Sequence, residues 1–236
     1  MTDLAALSYH LDGDVAVLTL DDGKANAVSP ALLEALNGAL DRARDEARAV
    51  VLAGRPGKFS AGFDLSVMTH STEAMRDLVQ SGAELLLRWY EYDLPTVAAC
   101  TGHALAAGAL LLLTTDVRIG SDSPAKIGLN EVAIGMPLPI FAVEFARDRL
   151  TKKTFTQATM GARVFSPEEA AVAGYLDRVV PADAVLDEAV AEARQLATLS
   201  TGAYARTKHA ARQATVDHVR ATLADDMAKL TGPTPP

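Results

Sequence analysis

Apolar positions along this chain fall into two patterns. Residues 15–20 (VAVLTL), 49–53 (AVVLA), 96–100 (TVAAC) and 117–119 are short, nearly continuous apolar runs rich in β-branched residues. Turn formers such as Asp21-Asp22-Gly23 and Pro95 bound them, so they read as buried strands. Helical signals lie between the strands. Ser29-Pro30 supplies an N-cap and a first-turn proline for a helix to about Arg44, and Ser71 or Thr72 caps another to about Tyr90. Residues 139–150 and 152–159 look helical. Ser166-Pro167-Glu168-Glu169 is a capping box for a short helix that Gly174 ends. Residues 183–199 and 201–230 are alanine-rich helical patterns, and Pro233, Pro235 and Pro236 mark a frayed tail.

Strands alternating with helices imply βαβ units and a largely parallel sheet. The last part of the chain is almost all helix. We therefore expect an α/β core over residues 1–182 and a helical region over 183–236. Two glycine-containing segments, 54–62 and 102–108, read as loops, and residues 109–113 read as a buried core helix.

Composition narrows the function. A net charge of −8 without a basic stripe argues against nucleic-acid binding. An acidic protein that binds an anionic ligand has to concentrate its few cations locally. The single cysteine, Cys100, cannot form an intrachain disulfide. Met1-Thr2-Asp3-Leu4 lacks the start of a secretory signal, and the apolar stretch 104–113 is too short to span a bilayer. A cytoplasmic protein with no membrane partner is the expectation.

Several chemistries lack their motifs. His10, His70, His103, His209 and His218 are scattered, with no HExxH or CxxC, so no metal is expected. Gly54-Arg55-Pro56-Gly57-Lys58-Phe59 has two residues between its glycines where a phosphate loop needs four. Ser60 lacks the first glycine of GxSxG, and residues 102–108 are not GxGxxG. What remains is a pair of small-residue loops after predicted strands. Small residues let a ligand approach the backbone, and N–H groups at a helix N-terminus favour developing negative charge. Two such loops can converge on one oxyanion. The same residues also suit tight turns whose only task is packing, and Glu131 by itself suits a solvated loop.

Five segments, in order, resemble those of the enoyl-CoA hydratase/isomerase (crotonase) family. They are Asp22-Gly23-Lys24-Ala25-Asn26-Ala27, Lys58-Phe59-Ser60-Ala61-Gly62-Phe63-Asp64-Leu65, Gly102-His103-Ala104-Leu105-Ala106-Ala107-Gly108, Ile127-Gly128-Leu129-Asn130-Glu131-Val132-Ala133-Ile134-Gly135 and Gly174-Tyr175-Leu176-Asp177-Arg178-Val179-Val180. The resemblance implies a crotonase-like α/β fold (a ββα superhelix) with a helical C-terminal trimerisation region, assembling as a homotrimer or a dimer of trimers. It implies an acyl-CoA substrate whose enolate is held by the N–H groups of Ala61 and Ala107. Alanine at 107 stands where the family usually has glycine. No cofactor is implied beyond the coenzyme A of the substrate.

Family hydratases use two glutamates. The second falls on Glu131 and the first on Leu110, which cannot carry a proton. Some family isomerases resemble this chain in that pattern. Shifting a double bond needs one base, whereas hydration is easiest with two. The resemblance thus implies Δ3,Δ2-enoyl-CoA isomerisation, with Glu131 as proton shuttle and its pKa raised by an apolar wall around Leu110. Hydration in fatty-acid β-oxidation, or silent acyl-CoA binding, are the alternatives. Substrate contacts carried over from the family are Lys24, Ala25, Ala27, Ser60, Asp64 and Leu65. Lys24 and Lys58 are candidates for the phosphates, and Lys208 and Arg212 for a neighbouring subunit's ligand.

Overall fold

The computed structural model describes residues 6–232. The four apolar runs read as strands lie side by side in a six-stranded sheet. It is built from β1 (Leu7–Asp12), β2 (Val15–Leu20), β4 (Ala49–Gly54), β7 (Thr96–Cys100), β9 (Val117–Ser121) and β11 (Arg178–Val180), in the order β1-β2-β4-β7-β9-β11. Only β1 runs antiparallel to its neighbour. Parallel neighbours need long crossovers. Those from β2 to β9 are made through α1 (Pro30–Glu46), α3 (Thr72–Tyr90) and α4 (Ala107–Thr114), and the last, to β11, through the helices of residues 140–173.

Near-continuous apolar strands are what a sheet covered on both faces requires. Ala16, Leu18, Leu20, Val50, Leu52 and Ala98 face the larger core, with α1, α3 and α4. Val15, Val17, Val51, Ala53, Val97, Ala99 and Ile119 face α8 (Val185–Ala197), whose Val185, Ala189 and Ala193 complete a second core.

Both segments read as glycine loops contain strands. β5 (Gly57–Ser60), β8 (Gly102–Leu105) and β10 (Ile127–Gly128) form a small parallel sheet, in the order β10-β8-β5, while β3 (Ala27–Val28) pairs with β6 (Gly62–Phe63). The helix expected at 109 starts two residues earlier, at Ala107. Ser71, not Thr72, caps α3, by accepting the N–H of Ala74. Three more helices, α2 (Leu65–Met68), α5 (Ile140–Arg149) and α6 (Lys152–Ala158), precede α7 (Pro167–Ala173), where Ser166 and Glu169 form the expected capping box.

The last helix, α9 (Thr201–Lys229), folds back on its own chain. Asp116 is buried beneath it and takes Lys208 Nζ at 2.6 Å, Arg212 Nη2 at 2.8 Å and the Tyr204 hydroxyl at 2.9 Å. Lys208 also donates to the carbonyls of Tyr92 and Leu94, and Arg212 donates to that of Tyr90. Lys208 and Arg212 are therefore buried and fully engaged inside their own subunit. The expectation that they meet a neighbour's ligand is corrected on that ground. The predicted tail at Pro233, Pro235 and Pro236 and the segment Met1-Thr2-Asp3-Leu4 lie outside the described residues. Among the described residues, no helix is long and apolar enough to cross a membrane, and no cluster of His, Cys, Asp and Glu suits a metal ion.

Candidate active site

The two small-residue segments meet. Gly62 has φ +95°, and a Cβ there would lie 2.9 Å from Ala106 Cβ and 3.3 Å from Ala107 N. A Cβ on Gly108 would come within 2.2 Å of the Ser60 carbonyl oxygen. Only glycine allows backbones this close. Asn26 fixes the arrangement from behind. Its Nδ2 donates to the carbonyls of Leu20, Lys58 and Phe59 at 3.0–3.1 Å, and its own carbonyl accepts the Ser60 hydroxyl at 2.7 Å. Asn26 was legible as part of a motif, but its work as a fastener between loop and strand was not.

Ala107 opens α4, so its N–H has no acceptor within the helix. The residue before it, Ala106, has φ 50° and ψ −123°, a strained conformation for a residue with a Cβ. That strain turns the chain sharply into the helix. The N–H of Ala61 donates to the Ala25 carbonyl at 2.9 Å. A ligand oxygen has to share or displace that bond to reach it.

Glu131 precedes a short 3₁₀ turn, residues Val132–Ile134. Its carbonyl accepts the N–H groups of Ile134 and Met136, both at 3.0 Å, which fixes its backbone. Its Oε2 is buried with no hydrogen-bond partner, as is Oδ1 of Asn130. Burial pushes the Glu131 carboxyl up to about 7, against a smaller lowering by its own N–H. Both orphaned side chains line a cavity of about 230 Å³. Its other walls include Ala61, Phe63, Leu65, Ala106, Leu110 and Phe141. A buried, unpartnered carboxyl facing an apolar cavity is a candidate for proton transfer.

Of the residues carried over by resemblance, Ala61, Leu65, Leu110 and Glu131 line this cavity, and Ala107 adjoins it through Ala106. Ser60 is fully buried, with its hydroxyl given to Asn26, so its side chain braces the loop. The Asp64 carboxylate caps α2 by accepting Ser66 N at 2.8 Å and Ser66 Oγ at 2.6 Å, which holds it below the usual range. Lys24, Ala25 and Ala27 sit outside the cavity, on the segment that Asp22 ties down through the N–H groups of Lys24, Asn26 and Ala27. Cations gather on this side. Arg55 Nε donates to the Lys24 carbonyl at 3.0 Å, Lys58 pairs with His103 across β5 and β8, and Lys126 N donates to His103 Nδ1 at 2.9 Å. Val79, Met136, Phe141 and Leu230, also in the cavity wall, carried no signal beyond ordinary core hydrophobicity.

The sequence profile of the enoyl-CoA hydratase/isomerase family matches residues 11–233. The chain belongs to the enoyl-CoA hydratase/isomerase family. As a member of that family it has the crotonase fold, and its relatives carry both activities in their names. It is 32% identical to human mitochondrial enoyl-CoA delta isomerase 1 over 210 residues, spanning 87% of this chain and 70% of that protein. The structure of an Mtb enoyl-CoA isomerase superposes with a TM-score of 0.91 at 39% identity, covering 95% of this chain and 99% of that one. An enoyl-CoA hydratase from Mycobacterium marinum superposes equally well, with a TM-score of 0.91 at 38% identity over 96% and 100% of the two chains. An enzyme of the enoyl-CoA hydratase/isomerase family acts on acyl-CoA thioesters, and that is the activity class of this chain.

Proposed function

We propose that this enzyme is a Δ3,Δ2-enoyl-CoA isomerase. The observation that carries the reading is the single carboxyl of Glu131, pushed up to about 7, in a cavity where Leu110 occupies the place of a second one. In this reading the Glu131 carboxylate takes a proton from C2 of a 3-enoyl thioester. The electron pair moves onto the thioester oxygen, where the N–H groups of Ala107 and Ala61 receive it. The protonated Glu131 then returns the proton at C4, and the double bond ends between C2 and C3. A base poised near neutral pH suits both halves of the transfer. The coenzyme A moiety comes with the substrate, so no separate cofactor is invoked, and Lys24 and Lys58 offer charge to its phosphates.

One observation favours the rival reading. The orphaned Oδ1 of Asn130 and Oε2 of Glu131, on the wall of one cavity, are two acceptors that a water could satisfy, and a hydratase needs one. Supplying a 3-enoyl-CoA and a 2-enoyl-CoA side by side, with products identified by mass, separates the two. The isomerase reading expects the 3-enoyl substrate to give a product of unchanged mass. Addition of water to the 2-enoyl substrate, without isomerisation, defeats it.

A further inference from the structure

The cavity lining is unequal in exposure. Part of it is open: Leu65 is 69% exposed and Ile134 is 44% exposed. Other lining residues are closed off from solvent: Phe141 at 1%, Val79 at 2% and Leu230 at 4%. These three come from α5, α3 and the cap residue of α9. An acyl chain that enters at the exposed part is bounded by the closed part, to which Leu230 belongs.

Leu230 is also held in place. Its carbonyl accepts both Nε and Nη2 of Arg76, each at 3.1 Å. One turn earlier, Asp226 Oδ2 accepts the N–H of Ile140 at 2.6 Å, pinning α9 to the start of α5. A wall fixed by charge-assisted bonds on two sides does not yield cheaply to a longer ligand. A well-packed apolar cavity of 150 Å³ holds a benzene ring, so about 230 Å³ holds roughly nine non-hydrogen atoms.

Resting on the acyl-CoA reading above, we propose that Leu230 is the end wall of the acyl cavity and restricts the enzyme to medium-chain substrates, about eight or nine carbons long. The specificity-determining residue thus lies at the far end of the chain from the loops that hold the thioester.

The test is calorimetric titration of the full chain with saturated acyl-CoAs from butanoyl to hexadecanoyl, which bind without turnover. Each buried methylene contributes about 0.8 kcal/mol, or about fourfold in affinity. The dissociation constant falls by that factor per carbon until the cavity fills near octanoyl, and then stops falling. Leu230→Ala moves this break to longer chains, and Leu230→Trp moves it to shorter ones. Either variant suffices if the other does not fold. Affinity that climbs smoothly to hexadecanoyl in the unaltered protein, or a break that neither variant moves, overturns the proposal. Turnover of 3-enoyl-CoAs is followed in parallel. A break in binding without any isomerisation removes the isomerase reading and keeps the wall, whereas isomerisation without a break removes the wall alone.

Discussion

In the proposed mechanism, Glu131 serves catalysis at the expense of the fold. Its carboxyl is pushed from 4.5 to about 7 by burial. Between those values the folded state holds a proton that the unfolded state has released, so stability falls as pH rises through the window. Above it the charged, buried carboxylate costs up to ~3 kcal/mol, from about 1.4 kcal/mol per pKa unit. Glu131→Gln should therefore be more stable than the unaltered protein at pH 8 by an amount of that order, with the difference vanishing near pH 4. Urea denaturation at the two pH values reads this directly. The same variant should lose 10²–10⁴-fold in turnover, the usual worth of a proton-transfer group, while the kcat/KM of the unaltered enzyme rises with pH through about 7. Ala106 gives a second trade-off. Its positive φ costs about 1 kcal/mol or more, so Ala106→Gly should raise the melting temperature by a few degrees, and equal or lower stability would show that the strain is absent in solution.

Among the elements, α9 depends on one buried ion cluster. Burial raises the Asp116 pKa, but Lys208 and Arg212 outweigh it and hold the carboxyl below its ordinary range. That contribution is present above the unfolded value and is lost as pH falls through the folded one. The Lys208 ammonium sits in the same desolvated space and is lowered to about 8, chiefly by burial. Asp116→Asn leaves two cations buried without their counter-ion and should cost about 3–5 kcal/mol by urea denaturation. It should also remove the Asp116 share of the stability loss in acid. The elements differed in how well the sequence announced them. β2, β4, β7 and β9 were legible because a doubly buried strand is apolar at most positions on both faces. β1 was missed because its outward positions, Ser8 and His10, dilute the signal at a sheet edge. β5 and β8 were read as loops because glycine hides strand character. Their extended shape comes from pairing with each other across a long stretch of sequence, a tertiary effect that no local window contains.

Over the whole molecule, the candidate site was legible where chemistry demands particular residues and silent where it demands only shape. Glu131, Leu110 and the two small-residue segments stand out as motifs. Phe141, Val79 and Leu230 are indistinguishable in sequence from any packed hydrophobe, and only the fold reveals that they bound a cavity. Ser60 shows the converse: its position matches the motif, while its hydroxyl is engaged by Asn26 and braces the loop.

The folding back of α9 joins two distant places. From Lys208 to Leu230 the helix runs roughly 33 Å, so a rigid rod connects the Asp116 cluster to the acyl cavity. Linkage between such places is reciprocal: whatever an acyl group gains from Leu230 it returns as resistance of α9 to opening. Amide hydrogens along α9 should then exchange more slowly when an acyl-CoA is bound. A substitution at Asp116, which touches no substrate, should be felt as leakier discrimination between long and medium acyl chains.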